Sequence, residues 1–225
     1  MGEVTGHPGW KFAVLGATTT QDFIGVIELG CVQGFKGWWA TGFPERIDPE
    51  SYPDTKLRRV NWSKDLDTVR RLFRDYRQWL ADHLEMTAAA DPILPVGLAR
   101  IDQEIADLPG VYGPPGGEVI LAFKQDALVA CGALREQGPK VGEIRRVYVR
   151  ADHRGKGFGP RLTRELLDRA RELGYERVRV DTLPTMAAAI QFYQEMGFKP
   201  IPAYWPHPVA GALFFEYIVA KPGPA

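Results

Sequence analysis

The chain has 225 residues, 45% of them hydrophobic, and its 28 basic and 28 acidic side chains give a formal net charge of zero. A neutral chain has no broad electrostatic attraction for nucleic acid or for an anionic membrane, so neither is an expected partner. The sequence lacks the run of about eighteen apolar residues that a membrane span needs. Its 2 cysteines and 4 histidines are scattered, which argues against a metal site and favours a reduced, cytoplasmic setting.

Residues 1–55 are rich in glycine, proline and aromatic side chains. Two apolar stretches, 10–15 and 23–29, are typical of strands joined by a polar turn. A segment of this length cannot enclose a substantial core. We therefore expect a small β-rich extension that packs on the rest of the chain or on a second copy, which makes a homodimer a candidate assembly. A flap over a substrate site and an aromatic interaction surface are the alternatives.

The rest of the chain, residues 56–225, begins with a predicted strand at 57–60 and two helices. Ser63 is the predicted N-cap of the first helix. Apolar residues recur at steps of three and four from Leu66 to Leu84, which indicates one buried helix face. A shorter helix at 98–108 carries acidic residues near its middle.

The following elements alternate between strand and helix patterns. They are predicted as strands at 118–123, 127–134 and 141–150, a helix at 162–173, a strand at 177–181, a helix at 187–196 and a strand at 213–220. The first three strands suggest an antiparallel meander. The later alternation suits an α/β arrangement with helices covering the sheet, which the last strand closes.

The strongest ligand signal lies between the third of these strands and the next helix. It consists of Arg154, Gly155, Lys156, Gly157, Phe158 and Gly159. Glycine at every second position allows a sharp turn and a close approach to a ligand, while unpaired amides at a helix start favour an anion. The two basic side chains add positive charge, so phosphate is the predicted ligand. A glycine-rich turn without a ligand is the alternative.

A second block, the string AIQFYQEMGF at 189–198, lies in the helix at 187–196 and just beyond it. Together with the Arg-x-x-Gly-x-Gly pattern, it resembles the GNAT family of N-acetyltransferases over about residues 57–219. The resemblance implies the acyl-CoA N-acyltransferase fold, an α/β (α+β) architecture whose mixed, mostly antiparallel sheet is flanked by helices. It also implies acetyl-CoA as cosubstrate, no metal, and a GNAT domain at 56–225 that follows the extension at 1–55.

The resemblance assigns the cofactor-binding residues. The glycine loop at 154–159 would bind the pyrophosphate of acetyl-CoA through its backbone amides. In the family, the strand before the loop opens at a bulge, and its backbone pairs with the pantetheine arm. Val147, Tyr148 and Val149 are therefore expected along the acyl-CoA arm.

Two residues are predicted to be catalytic. Tyr193 matches the family's tyrosine, whose hydroxyl points at the CoA sulfur as a general acid; a core aromatic residue is the alternative. Glu143 matches the catalytic glutamate of the histone-acetylating branch and is a candidate acceptor of the amine proton, directly or through water. A salt bridge with Arg145 or Arg146 is the alternative for this carboxylate.

The residues that bind the acceptor are the part of the site that the sequence defines least. Met186 stands where many family members carry an asparagine that helps to hold CoA, although a bacterial subgroup has a similar D-T-L-P-S-M string. Tyr204, Trp205 and His207 lie in a string that resembles this subgroup's Y-Y-x-N-P and are predicted to line the site of a small acceptor. His207 is an alternative base, or else a surface or packing residue.

These assignments predict an N-acetyltransferase that moves an acetyl group from acetyl-CoA to a primary amine of a small molecule or peptide. The amine would attack directly in a ternary complex. A non-catalytic acyl-CoA-binding sensor or interaction module on the same fold is the alternative, since fold does not determine function. Transfer of a longer acyl group is a third hypothesis.

Overall fold

The computed structural model describes residues 54–87 and 94–219. The predicted N-terminal extension lies outside these ranges except for its last two residues. The strands are β1 (Thr55–Arg59), β2 (Glu118–Lys124), β3 (Ala127–Gly138), β4 (Val141–Val149), β5 (Arg177–Thr182), β6 (Lys199–Ile201) and β7 (Leu213–Ile218). The helices are α1 (Trp62–Thr87), α2 (Leu94–Ala106), α3 (Phe158–Glu172) and α4 (Ala187–Glu195). No helix in this part of the chain is long and apolar enough to cross a membrane.

The start of α1 differs from its predicted position. Asn61, not Ser63, caps the helix, because the Asn61 side-chain oxygen accepts a hydrogen bond from the backbone amide of Ser63 at 3.1 Å. Asp65 in turn accepts the Asn61 amide at 2.8 Å. Arg58 on β1 holds the same carboxylate at 2.6 and 2.9 Å, and this hydrogen bonding lowers the pKa of Asp65. The cap therefore also ties α1 to the first strand.

The seven strands form one sheet in the order β1-β2-β3-β4-β5-β7-β6. All neighbours are antiparallel except β4 and β5, so the predicted meander and the mixed, mostly antiparallel sheet are confirmed. The prediction that the last strand closes the sheet is wrong. Strand β7 lies between β5 and β6, and β6 forms the edge. With three residues, β6 is too short to show an alternating pattern in the sequence.

Each face of the sheet is covered by a pair of helices. Leu162 and Leu166 of α3 pack with Ile144 and neighbouring strand residues on one face. On the other face, Val69 and Phe73 of α1 belong to a second core cluster that includes residues of α2 and the sheet. Each fully buried leucine or phenylalanine contributes about 1.5–3 kcal/mol, so these clusters hold the helices in place.

Two irregularities open the middle of the sheet. The ladder between β4 and β5 has three residue pairs and ends at Glu143–Arg179, so the strands separate beyond it. The register between β3 and β4 also shifts between Cys131 and Ala133, and Arg146 opposite this point has φ 55°. A bulge of this kind places an extra residue on one strand and re-aims its side chains. The predicted bulge before the glycine loop is therefore present.

Candidate active site

A cavity of about 380 Å³ occupies the gap where β4 and β5 separate. Residues of α1 and α2 form one wall, α4 forms another, and residues of the segment at 205–209 also line the cavity. The charged side chains that line the cavity are Arg100, Glu104, Arg135, Arg145, Arg146 and Asp181. A largely apolar cleft with a few converging polar groups is the usual form of a small-molecule site.

The glycine loop follows the end of β4, as predicted. Gly155 and Gly157 adopt φ 73° and 78°, a conformation that favours glycine, and Gly157 is the N-cap of α3. A Cβ added to Gly155 or Gly159 would meet no atom within 4 Å, so the outer side of the loop is open. Lys156 donates to the backbone carbonyl of Asp152 at 2.6 Å. The open helix N-terminus is suited to a phosphate group.

The other two loop side chains contact the rest of the protein. Phe158 is 2% exposed and belongs to the core under α3, so only its backbone is available to a ligand. The Arg154 guanidinium lies 4.9 Å from the centre of the Trp79 ring, and its Nε donates to the Val149 carbonyl at 3.1 Å. Arg154 thus connects the loop to α1, which borders the cavity.

The three residues predicted along the acyl-CoA arm occupy different positions. Val147 lines the cavity. Tyr148 packs on the other face of the sheet, with its ring 6.2 Å from those of Tyr76 and Trp79 on α1. Val149 is half-buried against the core that includes α3. Any contact of Tyr148 with an arm in the gap would therefore come from its backbone.

Tyr193 on α4 lines the cavity and is 5% exposed. Its ring is held by Phe192 at 4.4 Å, Phe198 at 5.4 Å and Phe215 at 6.4 Å, measured between ring centres. Burial raises the pKa of the Tyr193 hydroxyl well above its usual value. The hydroxyl is therefore protonated at neutral pH and can act as a proton donor.

Met186, the departure from the family pattern, also lines the cavity. It is the N-cap residue of α4, and its sulfur accepts a hydrogen bond from the Thr182 hydroxyl at 3.6 Å. An apolar side chain thus lines the cavity between the end of β5 and the start of α4.

Glu143 lies behind Arg135 and Arg145, two residues that line the cavity. Its side chain is fully buried, with Arg135 Nε at 2.6 Å and an Arg145 nitrogen at 3.3 Å. The Tyr204 hydroxyl donates to the same carboxylate at 2.7 Å. The salt bridge with Arg145, the alternative weighed from the sequence, is therefore formed, whereas Arg146 pairs with Glu104 instead.

The structure separates the three predicted acceptor-site residues. Trp205 and His207 line the cavity, with their rings 4.7 Å apart. Tyr204 points to Glu143, and burial raises the pKa of its hydroxyl strongly. His207 Nδ1 lies 3.0 Å from the backbone amide and 3.3 Å from the carbonyl of Val209, and Nε2 lies 3.2 Å from Asp181. With both ring nitrogens engaged, His207 is poorly placed to act as the base.

The sequence did not single out two carboxylates that line the cavity. Glu104 on α2 accepts from the Tyr112 hydroxyl at 2.6 Å and from Arg146 at 2.5 Å through one oxygen, and its other oxygen lies 3.8 Å from Arg135. Burial raises the pKa of Glu104, but Arg146, Arg145 and the Tyr112 hydrogen bond outweigh it and hold the pKa below its usual range. Glu104 is therefore an anion at neutral pH.

Asp181 at the end of β5 is the second of these carboxylates. Burial raises its pKa, whereas the hydrogen bond from His207 and the charge of Arg145, 3.1 Å away, lower it, and the net shift is downward.

The acidic residues near the middle of the second helix were visible in the sequence. Their position over the cavity depends on how α2 packs, so no pattern indicated it.

Comparisons with known proteins place this geometry in context. A family model described as "Acetyltransferase (GNAT) family" matches residues 66–198. An uncharacterised N-acetyltransferase of Schizosaccharomyces pombe is 28% identical over 167 residues, which are 73% of this chain and 95% of that protein.

Two solved structures share the fold. The PaiA N-acetyltransferase of Thermoplasma acidophilum in complex with coenzyme A has a TM-score of 0.56 at 15% identity and covers 73% of this chain and 98% of its own. A GNAT-family acetyltransferase of Staphylococcus aureus has a TM-score of 0.55 at 16% identity and covers 74% and 99%. Both likenesses concern the fold, and they confirm the predicted one.

Proposed function

Since the chain belongs to the GNAT family of acetyltransferases, it is an acyl-CoA-dependent N-acyltransferase with acetyl-CoA as cosubstrate, and we propose that it acetylates a primary amine of a small molecule or peptide. The amine nitrogen would attack the thioester directly in a ternary complex. The observation that carries this proposal is the cavity at the separation of β4 and β5, which has the glycine loop beyond the end of β4 and the Tyr193 hydroxyl on its α4 wall.

The residues present fit an acyl-CoA. The open side of the loop at Gly155 and Gly159 leaves room for a pyrophosphate at the start of α3. Beyond Glu143, the β4 backbone that faces β5 is outside the strand ladder. These backbone groups are free of strand pairing and suited to hold an extended arm, and a fixed amide there can stabilise negative charge on the thioester oxygen.

Tyr193 is the proposed proton donor to the leaving sulfur. During transfer a carbon–nitrogen bond forms, the carbon–sulfur bond breaks, and the sulfur leaves as a thiolate that needs a proton. The pKa of Tyr193 is raised by burial, so the donor is protonated over the working pH range. Positioned acids and bases of this kind typically contribute about 10²–10⁴-fold to the rate.

Glu104 is the proposed first acceptor of the amine proton, in place of the Glu143 expected from the resemblance. Its side chain lines the cavity, and one of its oxygens has Arg135 no closer than 3.8 Å. Glu143 is enclosed by two arginines and Tyr204. The attacking nitrogen becomes more acidic as the new bond forms, which lets a carboxylate with a low pKa take the proton. We propose that Glu143 positions Arg145 and Tyr204.

Glu104→Gln and Glu143→Gln distinguish these roles. Glu104→Gln is expected to lower kcat by about a hundredfold at pH 7. The loss should shrink towards about pH 10, because hydroxide can then accept the proton that the attacking nitrogen loses as the new bond forms. Glu143→Gln should lower the melting temperature, since Arg135 and Arg145 lose a fully buried charge partner, and should show no rescue at high pH.

The measurement is release of CoA thiol against pH for a panel of primary amines, with thermal unfolding of each variant alongside. A pH-rescued loss in Glu143→Gln and none in Glu104→Gln would reverse the assignment. Binding of acetyl-CoA without thiol release in the presence of any amine would instead support the acyl-CoA sensor and overturn the proposed activity.

A further inference from the structure

The arginines around the cavity outnumber the carboxylates available to them, and this inference about the acceptor rests on the proposed function. Among the described residues, three of the four arginines that line the cavity are paired. Arg135 and Arg145 bind Glu143, Arg145 also binds Asp181, and Arg146 binds Glu104.

Arg100 is the fourth arginine on the cavity wall. It is exposed, and no described carboxylate lies within 4.0 Å of it. Its guanidinium carbon lies 5.3 Å from the centre of the Trp205 ring, a cation–π contact that orients the group without neutralising it. His207 adds no negative charge and keeps Asp181 occupied. One positive charge at the cavity thus lacks a described negative partner.

Two buried hydrogen-bond donors on the same walls are also unpartnered among the described residues. Arg146 is 5% exposed, and its Nε makes no hydrogen bond. The indole Nε1 of Trp205 is likewise buried without a partner. Unpaired buried donors are uncommon in folded proteins, and a partner with acceptor oxygens relieves their cost. An anion with several acceptor oxygens would balance the charge of Arg100 and pair with these two donors.

We propose that the acceptor carries a carboxylate beside its primary amine, so that this N-acetyltransferase acts on amino acids or related amino-carboxylates. Arg100 and the Trp205 indole are the proposed carboxylate-binding groups, and Arg146 Nε is a further unpaired donor on the cavity wall. Arginine suits this role because its planar group can bind both oxygens of a carboxylate. The amine of the same molecule faces Glu104, which opposes its charge.

Matched substrate pairs test the proposal. L-phenylalanine, L-leucine and glycine are each compared with the corresponding amino acid amide, which keeps the amine and lacks the negative charge. For at least one pair, kcat/KM for the free acid should exceed that for the amide by about tenfold or more, the range of a charge-assisted hydrogen bond. The amine of the amide is less basic than the amine of the free acid, so a larger fraction of it is neutral. The supply of neutral amine alone would therefore favour the amide.

Arg100→Gln should bring the acid-to-amide ratio close to one, mainly by raising KM for the acid, so that kcat/KM falls more for the acid than for the amide. Arg100→Lys should restore part of the preference because it keeps the charge. The control is Arg74→Gln, which makes the same charge change at an exposed position of α1 and should leave the ratio unchanged.

Three outcomes would overturn the proposal. Amides acetylated as well as acids by the unchanged protein would refute the carboxylate while leaving the N-acetyltransferase activity established. If Arg100→Gln lowers kcat/KM equally for the acid and the amide of a pair, Arg100 does not bind the carboxylate. Bound acetyl-CoA without acetylation of any amine would refute the proposed function itself, and the acceptor class with it.

Discussion

Gly159→Trp is expected to abolish acetyl-CoA binding while leaving the fold intact. Gly159 is the second residue of α3, has no positive φ, and its added Cβ would meet no atom within 4 Å. An indole there would fill the space from which a pyrophosphate reaches the helix start. At one hundred times its dissociation constant, a ligand stabilises the folded state by about 2.7 kcal/mol, which corresponds to roughly 5–10 °C for a chain of this size. That shift should disappear, and kcat/KM should fall about a hundredfold.

Thermal unfolding with acetyl-CoA, CoA and dephospho-CoA measures this effect. Gly138→Trp is the matched control, because Gly138 at the end of β3 also has open space around an added Cβ and lies at the opposite end of β4 from the loop. A full acetyl-CoA shift in Gly159→Trp would show that the pyrophosphate does not bind at this loop.

Gly157 is a less informative position for the same test. Its φ of 78° makes any side chain there strained, so a loss of binding would be mixed with a loss of stability. Gly174, with φ 79° and open space around it at the far end of α3, calibrates that strain. Gly157→Ala and Gly174→Ala should cost a similar amount, about 1–2 kcal/mol. A loss of CoA binding that Gly157→Ala shows and Gly174→Ala does not is due to the change in the loop.

Tyr193→Phe is expected to lower kcat by about a hundredfold or more, with little change in KM for acetyl-CoA or in the melting temperature. The variant removes the proposed proton donor and keeps the ring that packs against Phe192, Phe198 and Phe215. Because burial raises the pKa of Tyr193, the wild-type rate should show no decline from tyrosine ionisation up to about pH 10.

Tyr217→Phe is the control for this variant. Tyr217 packs on the same Phe198 ring, at 5.3 Å between ring centres, and is not among the residues that line the cavity. Its kcat should therefore stay at the wild-type value. Steady-state kinetics at saturating acetyl-CoA, monitored by thiol release, compare the two variants. Equal kcat for Tyr193→Phe and the wild-type protein would assign Tyr193 to packing alone.

The sequence indicated the parts of the site that local chemistry specifies. Alternating glycines before an amphipathic helix predicted the loop, since only glycine adopts its backbone angles without strain. The string around Tyr193 predicted the helix that carries this side chain. The antiparallel meander followed from strand periodicities along the chain, and the mixed sheet was implied by the family resemblance. These features depend on short stretches of sequence, and each lies where it was predicted.

The structure alone decided which charges meet. The sequence left Glu143 open between a base and a salt bridge and did not single out Glu104. Only the tertiary structure shows that Glu143 is enclosed by arginines while Glu104 lines the cavity. The bulge at Arg146 likewise depends on register with β3. The sequence by itself determined the family, the glycine loop and the match of Tyr193 to the family's tyrosine. The tertiary structure decided which charged side chains pair and which line the cavity, because the pairing of charges from distant segments depends on distances that no local pattern contains.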